Sequence, residues 1–178
     1  MKTRDVVIFS GARFEVPEGI QRIDHRATHG WQLRYGGTKL FSDFSTDGSG
    51  AARALEKATR ELLARIARLP APSKLQKEPS GHKSSDLPVG ISGPVVRVRR
   101  ATGLRDCSFL VSVPRYGDKP RRRTVYIGTE NTYSMDKYHQ ALSRAIEIRR
   151  EAEEVYQREA TRAKRAAGRA LRESRKAA

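Results

Sequence analysis

From Pro70 to Pro88 the chain carries four prolines and almost no large apolar side chains. Each proline fixes its own backbone angle and withholds an N–H donor. A stretch this polar cannot bury enough surface to offset the entropy lost on ordering. Residues 70–89 are therefore expected as a flexible linker. That divides the 178 residues into two small bodies, and 37% apolar content suits two thin two-layer modules better than one large core. The expected division is 1–18, 19–69, 70–89, 90–156 and 157–178.

The first body reads as three strands and a helix. Gly19 to His25 predicts a strand, Thr28-His29-Gly30 a turn, and Trp31 to Tyr35 a second strand with period two. Gly36-Gly37 supplies the positive φ angles of a tight hairpin, and Lys39 to Phe44 a third strand. After Asp47-Gly48-Ser49-Gly50 the period becomes helical. Leu55, Ala58, Leu62 and Ile66 fall on one face, and Pro70 ends the helix. Residues 1–18 hold Val6 to Phe9 and Phe14 to Val16, a hairpin or added strand expected to extend the first sheet or cover an edge.

The second body repeats the order. Val95 to Arg100, Phe109 to Val113 and Arg121 to Gly128 predict strands, with turns at Thr102-Gly103 and Tyr116-Gly117-Asp118. A helix is expected from about Ser134, with Ala141, Ala145, Ile148, Ala152 and Val155 on its stripe. Ala54-Leu55-x-x-Ala58 and Ala141-Leu142-x-x-Ala145 match, and with the shared element order they suggest a diverged tandem repeat. The fold class expected is α+β: two modules, each a three-stranded antiparallel sheet on one helix. A basic helix should follow, running past residue 170. From 157 onward it carries eight basic groups and an alanine-rich stripe. This segment is expected to fray against phosphate, or to make a weak homo-oligomer contact.

Lys and Arg number 36 against 20 Asp and Glu, a net charge of +16. Solubility in a small domain asks for a magnitude of only about 2–8. The surplus points to a polyanion, because neutralising phosphates releases condensed counterions. Residues 1–69 hold 12 basic and 8 acidic groups, and residues 90–178 hold 21 and 10. The single cysteine, Cys107, excludes an internal disulfide and a multi-cysteine zinc cage. No apolar run approaches the ~18 residues of a membrane span, and the Val6 to Phe9 run is short for a signal peptide. A cytoplasmic, nucleoid-associated protein with no membrane partner is expected.

Gly19-Ile20-x-Arg22, Gly30-Trp31-x-Leu33, Phe41-Ser42 and Ala54-Leu55-x-x-Ala58 together resemble the Apetala-2/ethylene-response-factor domain in its bacterial or phage form. Val125 to Thr129 followed by Ala141-Leu142 resembles the same family's third strand and helix entry. The likeness covers roughly 19–69 and 91–153. It implies a three-stranded sheet laid into the DNA major groove with a helix behind it. It also implies Gln21 and Ile23 on the DNA side, with Arg22 at a phosphate. A similar fold in integrase arm-binding domains leaves the biological role open.

Strand alternation gives the same faces. Trp31, Leu33 and Tyr35 should meet the helix, turning Gln32 and Arg34 toward the partner, with Lys39 a candidate on the third strand. In the second module Val96 and Val98 alternate with Arg97 and Arg99. Ser112, Arg122, Thr124 and Tyr126 join the outward face. Arg100, Arg115, Arg121 and Arg123 complete the candidate DNA-contacting set, with Arg121 to Arg123 grading toward phosphate. A sheet can enter the major groove, where Arg reads guanine and Gln reads adenine.

The remaining features carry bland expectations. Trp31 fills core, His25 and His29 line a turn, and Cys107 has no base beside it in sequence. No catalytic, metal or cofactor pattern stands out, so an enzyme is not expected. Duplex DNA is the expected partner, as for a transcriptional regulator or nucleoid-associated factor. A recombination or mobile-element accessory binder, or an RNA- or ribosome-binding basic protein, remain the alternatives.

Overall fold

A computed structural model describes residues 1–177. The architecture is α+β, with three antiparallel sheets and two helices. Two compact units divide it: Met1–Pro72 together with the chain from Ala160 onward, and Ser73–Glu159.

In the first unit, β1 (Thr3–Val7) and β2 (Arg13–Pro17) form a two-stranded sheet of their own. The hairpin covers the core and does not lengthen the neighbouring sheet: Ile8 and Val16 are buried with Trp31 and Leu33. The Arg4 guanidinium fixes it by donating to the Ile20 carbonyl at 3.1 Å. Next come β3 (Ile20–His25), β4 (Thr28–Arg34) and β5 (Thr38–Ser42), paired in that order. Thr28 to Gly30 therefore belongs to β4 and is not a turn. Gly30 is required there by a close approach, since a Cβ would stand 2.4 Å from the Phe41 carbonyl oxygen. Gly36 and Gly37 turn the next hairpin at φ 62° and 106°.

Helix α1 (Ala51–Arg68) lays Leu55, Ala58, Leu62 and Ile66 on the sheet, as its apolar spacing predicts. Trp31, fully buried, donates its indole N–H to the Ala51 carbonyl at 2.8 Å. That bond ties the middle of β4 to the first turn of the helix. At the other end, Arg65 donates to the carbonyls of Tyr35 and Gly37, bracing the glycine turn.

In the second unit β6 (Ile91–Val98), β7 (Arg105–Val113) and β8 (Arg121–Thr129) pair in that order. Strand β6 starts four residues earlier than expected. Gly93-Pro94 disguises its first half, and the register shifts between Ser92 and Val95, where proline lacks a ladder donor. Ile91, Phe109, Val111 and Ile127 pack against Ala141, Ala145 and Ile148 of helix α2 (Met135–Ala177). The buried stripe stops short of Val155, which is 42% exposed.

Two boundaries differ from expectation. The segment 70–89 holds neither helix nor strand, yet both its ends are anchored. Ala71 is buried in the first unit, and Leu87 joins the core of the second. The Lys83 ammonium gathers the Leu87 and Pro88 carbonyls ahead of β6. Nor is 157–178 a separate tail. Helix α2 begins in the second unit, and from Ala160 it belongs to the first. There Ala160 and Leu171 are buried, and Lys164 reaches Glu18 at 3.1 Å. Among the described residues no helix is long and apolar enough to cross a membrane.

Candidate nucleic-acid interface

Directly opposed residues of neighbouring strands point to the same side of a sheet. In the first unit one side takes Trp31 opposite Arg22 and Phe41, and Leu33 opposite Ile20 and Lys39. This is the helix-covered side. The other takes Gln32 opposite Gln21 and Leu40, Gly30 opposite Ile23 and Ser42, and Arg34 opposite Thr38. Gln21, Gln32 and Arg34 thus stand together on the outward face. The Arg34 guanidinium donates to the Gln32 amide oxygen at 2.6 Å, orienting both. Leu40, 44% exposed, adds an apolar group to this face.

Arg22 requires correction, and Lys39 takes the other side of the sheet. Arg22 lies on the helix side, with its side chain only 7% exposed. It makes two hydrogen bonds to Asp43, at 3.0 and 2.6 Å, and others to Asp24. It also stands 5.0 Å over the Trp31 ring. Burial works to lower its pKa, and the bonds to Asp43 and Asp24 outweigh it and raise the pKa. A guanidinium so fully engaged is a structural clasp and not a phosphate contact. Lys39 shares its register position with Leu33, and its ammonium sits 5.1 Å over Phe41 on the helix side.

The histidines stand in strands flanking the Arg26–Ala27 turn, His25 ending β3 and His29 in β4 opposite Asp24. His29 Nδ1 lies 2.9 Å from Asp24 Oδ1, so the Asp24 carboxylate joins His29 to Arg22. Burial works to raise the Asp24 carboxyl, but the bonds from Arg22 and His29 prevail and hold it below its ordinary value.

In the second unit the outward rows are Ser92–Leu110–Thr124, Val95–Ser108–Tyr126, Arg97–Asp106 and Ser112–Arg122. Arg99 donates to Asp106 at 2.8 Å, which lays it along this face, and the bond raises its pKa. Arg97, Arg99, Ser112, Arg122, Thr124 and Tyr126 thus share this face, Arg97 and Arg99 at its Asp106 end and Arg122 at its Ser112 end, with Tyr126 51% exposed. Val96 and Val98 do not reach the core. Each is 61% exposed, opposite Cys107 and Arg105.

The arginine run at the start of β8 splits by parity. Arg122 is outward, whereas Arg121 opposes Val113 and Arg123 opposes Val111, on the helix side. Both remain exposed there. Arg100 is exposed in the turn after β6. Arg115 pairs with Asp118 at 2.6 Å within the β7–β8 loop. Arg149, which sequence reasoning passed over, anchors α2: it bonds the Ser112 carbonyl and Glu153 with its side chain 11% exposed. Its place four residues before Glu153 was the available signal.

Each sheet therefore carries its helix on one side and leaves polar, partly cationic side chains on the other. No protein-family model, no curated protein and no solved structure matches this chain.

Proposed function

We propose that the chain binds double-stranded DNA through the outward faces of its two three-stranded sheets, as an Apetala-2-like protein acting in transcription regulation or nucleoid organisation. The observation that carries this reading is the outward β6–β7–β8 face, which presents Arg97 and Arg122 with Ser112, Thr124 and Tyr126, and along which Asp106 holds Arg99. Arginine forks and hydroxyls projecting from a two- or three-stranded ribbon are the chemistry that reads base edges and grips phosphates. The β3–β4–β5 face, with Gln21, Gln32 and Arg34, has amide and guanidinium groups for adenine and guanine but little charge for affinity. The net charge of +16 supplies the long-range attraction. The protein acts by binding, without catalysis.

Competition among duplex DNA, single strands and RNA tests this, with salt titration of the preferred ligand. Duplex should win. For 6–10 phosphate contacts, affinity should fall on the order of 10³–10⁵ between about 50 and 200 mM salt. A preference for RNA, or binding indifferent to salt, would overturn the reading.

A further inference from the structure

Besides its sheet face, the first unit has a second concave surface. Helix α1 and the end of α2 leave a groove of about 460 Å³ between them. Its floor is apolar, made of Leu63, Ala64, Ile66, Ala67 and Gly168. Gly168 sets the closeness of the two helices, since a Cβ there would come within 3.0 Å of Ile66 Cγ2. Around the floor stand four arginines, Arg60, Arg165, Arg169 and Arg172, and no carboxylate lines the groove. Arg60 pairs with Glu56 at an exposed position. The other three make no ion pair among the described residues.

The groove opens on the exposed flank of α1: Leu55, Ala58 and Leu62 face the core, Ile66 lies between core and groove, and Arg60, Ala64 and Ala67 face away from the core. Phosphate needs cations but gains nothing from an apolar floor. An apolar peptide would gain from the floor but not from four guanidinium groups. An amphipathic helix with acidic flanks uses both. Its leucine-like side chains fill a trough bounded by alanines and a glycine, and its carboxylates accept the planar two-pronged bonds that arginine offers.

We infer that the α1–α2 groove docks an acidic amphipathic helix of a partner protein, with Ala64, Ala67 and Gly168 leaving room for its apolar stripe and Arg165, Arg169 and Arg172 pairing with its carboxylates. This surface is separate from the sheet faces, and the inference holds whichever polyanion those faces bind.

The test uses the full chain and a designed helical peptide, long enough at about 16 residues to be helical. The peptide carries leucine at i, i+4, i+7 and i+11 with glutamate on both flanks. It should bind, and polyglutamate of equal length should bind at least about tenfold more weakly. The double change Arg169→Glu with Arg172→Glu should lower peptide affinity about tenfold or more, because charge-assisted bonds give way to repulsion. Ala67→Phe, which fills the trough without altering charge, should do the same. All of these positions are exposed, and a thermal melt confirms that the variants fold. Duplex DNA should not displace the peptide. Equal binding of polyglutamate, unchanged affinity in Ala67→Phe, or displacement by duplex DNA would each overturn the inference. The last result would make the groove a phosphate surface instead.

Discussion

The two sheets share strand order and antiparallel pairing, but they place arginine differently. In the first, Arg22 is turned inward onto Asp43, whose side chain is fully buried. The outward face is left with amides, Arg34 and an exposed leucine. In the second, Arg97, Arg99 and Arg122 all face out, and the ion pair on that sheet, Arg99–Asp106, is half exposed on its arginine side. One sheet uses its arginine to fix structure and the other displays its arginines. The difference comes from parity alone, since a single step along a strand exchanges the two sides.

The sharpest way to break that comparison is stability. Removing one member of a buried ion pair leaves an uncompensated charge, which costs about 3–5 kcal/mol. Arg22→Ala should therefore destabilise the protein by that amount, measured by urea unfolding. Arg99→Ala removes a surface pair and should cost far less, because solvent screens it. Similar losses for the two would mean that the Arg22 clasp has no special structural weight.

Binding should reverse the ranking. Arg97→Ala and Arg122→Ala should each cost about 1–3 kcal/mol on a preferred duplex, with Arg34→Ala relaxing the preference at one base position. Arg22→Ala, wherever it stays folded, should leave the preference intact. Titration of each variant against preferred and scrambled duplexes decides the matter. If the ratio of the two affinities is unmoved in Arg34→Ala and Arg97→Ala, the sheets are not reading surfaces.

A smaller effect should appear in acid, and in the first unit. Asp24 has its pKa lowered in the fold, so its contribution is present above its unfolded value, about 3.9, and lost as pH falls through the lower folded value. Stability measured between about pH 5 and pH 2 should therefore decline more steeply in the parent than in Asp24→Asn. Equal slopes would show that the Arg22–Asp24–His29 group does not contribute to acid sensitivity.

Much of this arrangement was legible in the sequence. Period-two runs placed Trp31 and Leu33 inward and Gln32 and Arg34 outward, and the helical stripe of α1 was complete. Three things were not legible. Arg22 looks like a surface cation in sequence, since only pairing brings Asp43 beside it, and only the register with Leu33 sets which side of the sheet the exposed Lys39 takes. Val96 and Val98 have core chemistry, yet each stands 61% exposed. The docking of the C-terminal helix end depends on Gly168 meeting Ile66, a pair about a hundred residues apart with no local period to announce it.

The split of Arg121, Arg122 and Arg123 gives the finest test. All three are consecutive and exposed, so composition treats them alike. Register does not: Arg122 stands with Ser112 on the outward face, while its neighbours share a side with Val113 and Val111. If a duplex lies on the outward face, Arg121 and Arg123 can reach only backbone phosphates at its margin. Arg121→Ala and Arg123→Ala should then weaken preferred and scrambled duplexes equally. Each should lower the slope of log affinity against log salt by about one for every phosphate it leaves unneutralised. Arg122→Ala should change the preferred-to-scrambled ratio as well. If all three alter that ratio by the same factor, the parity that separates the two sides of this sheet does not govern how it meets DNA.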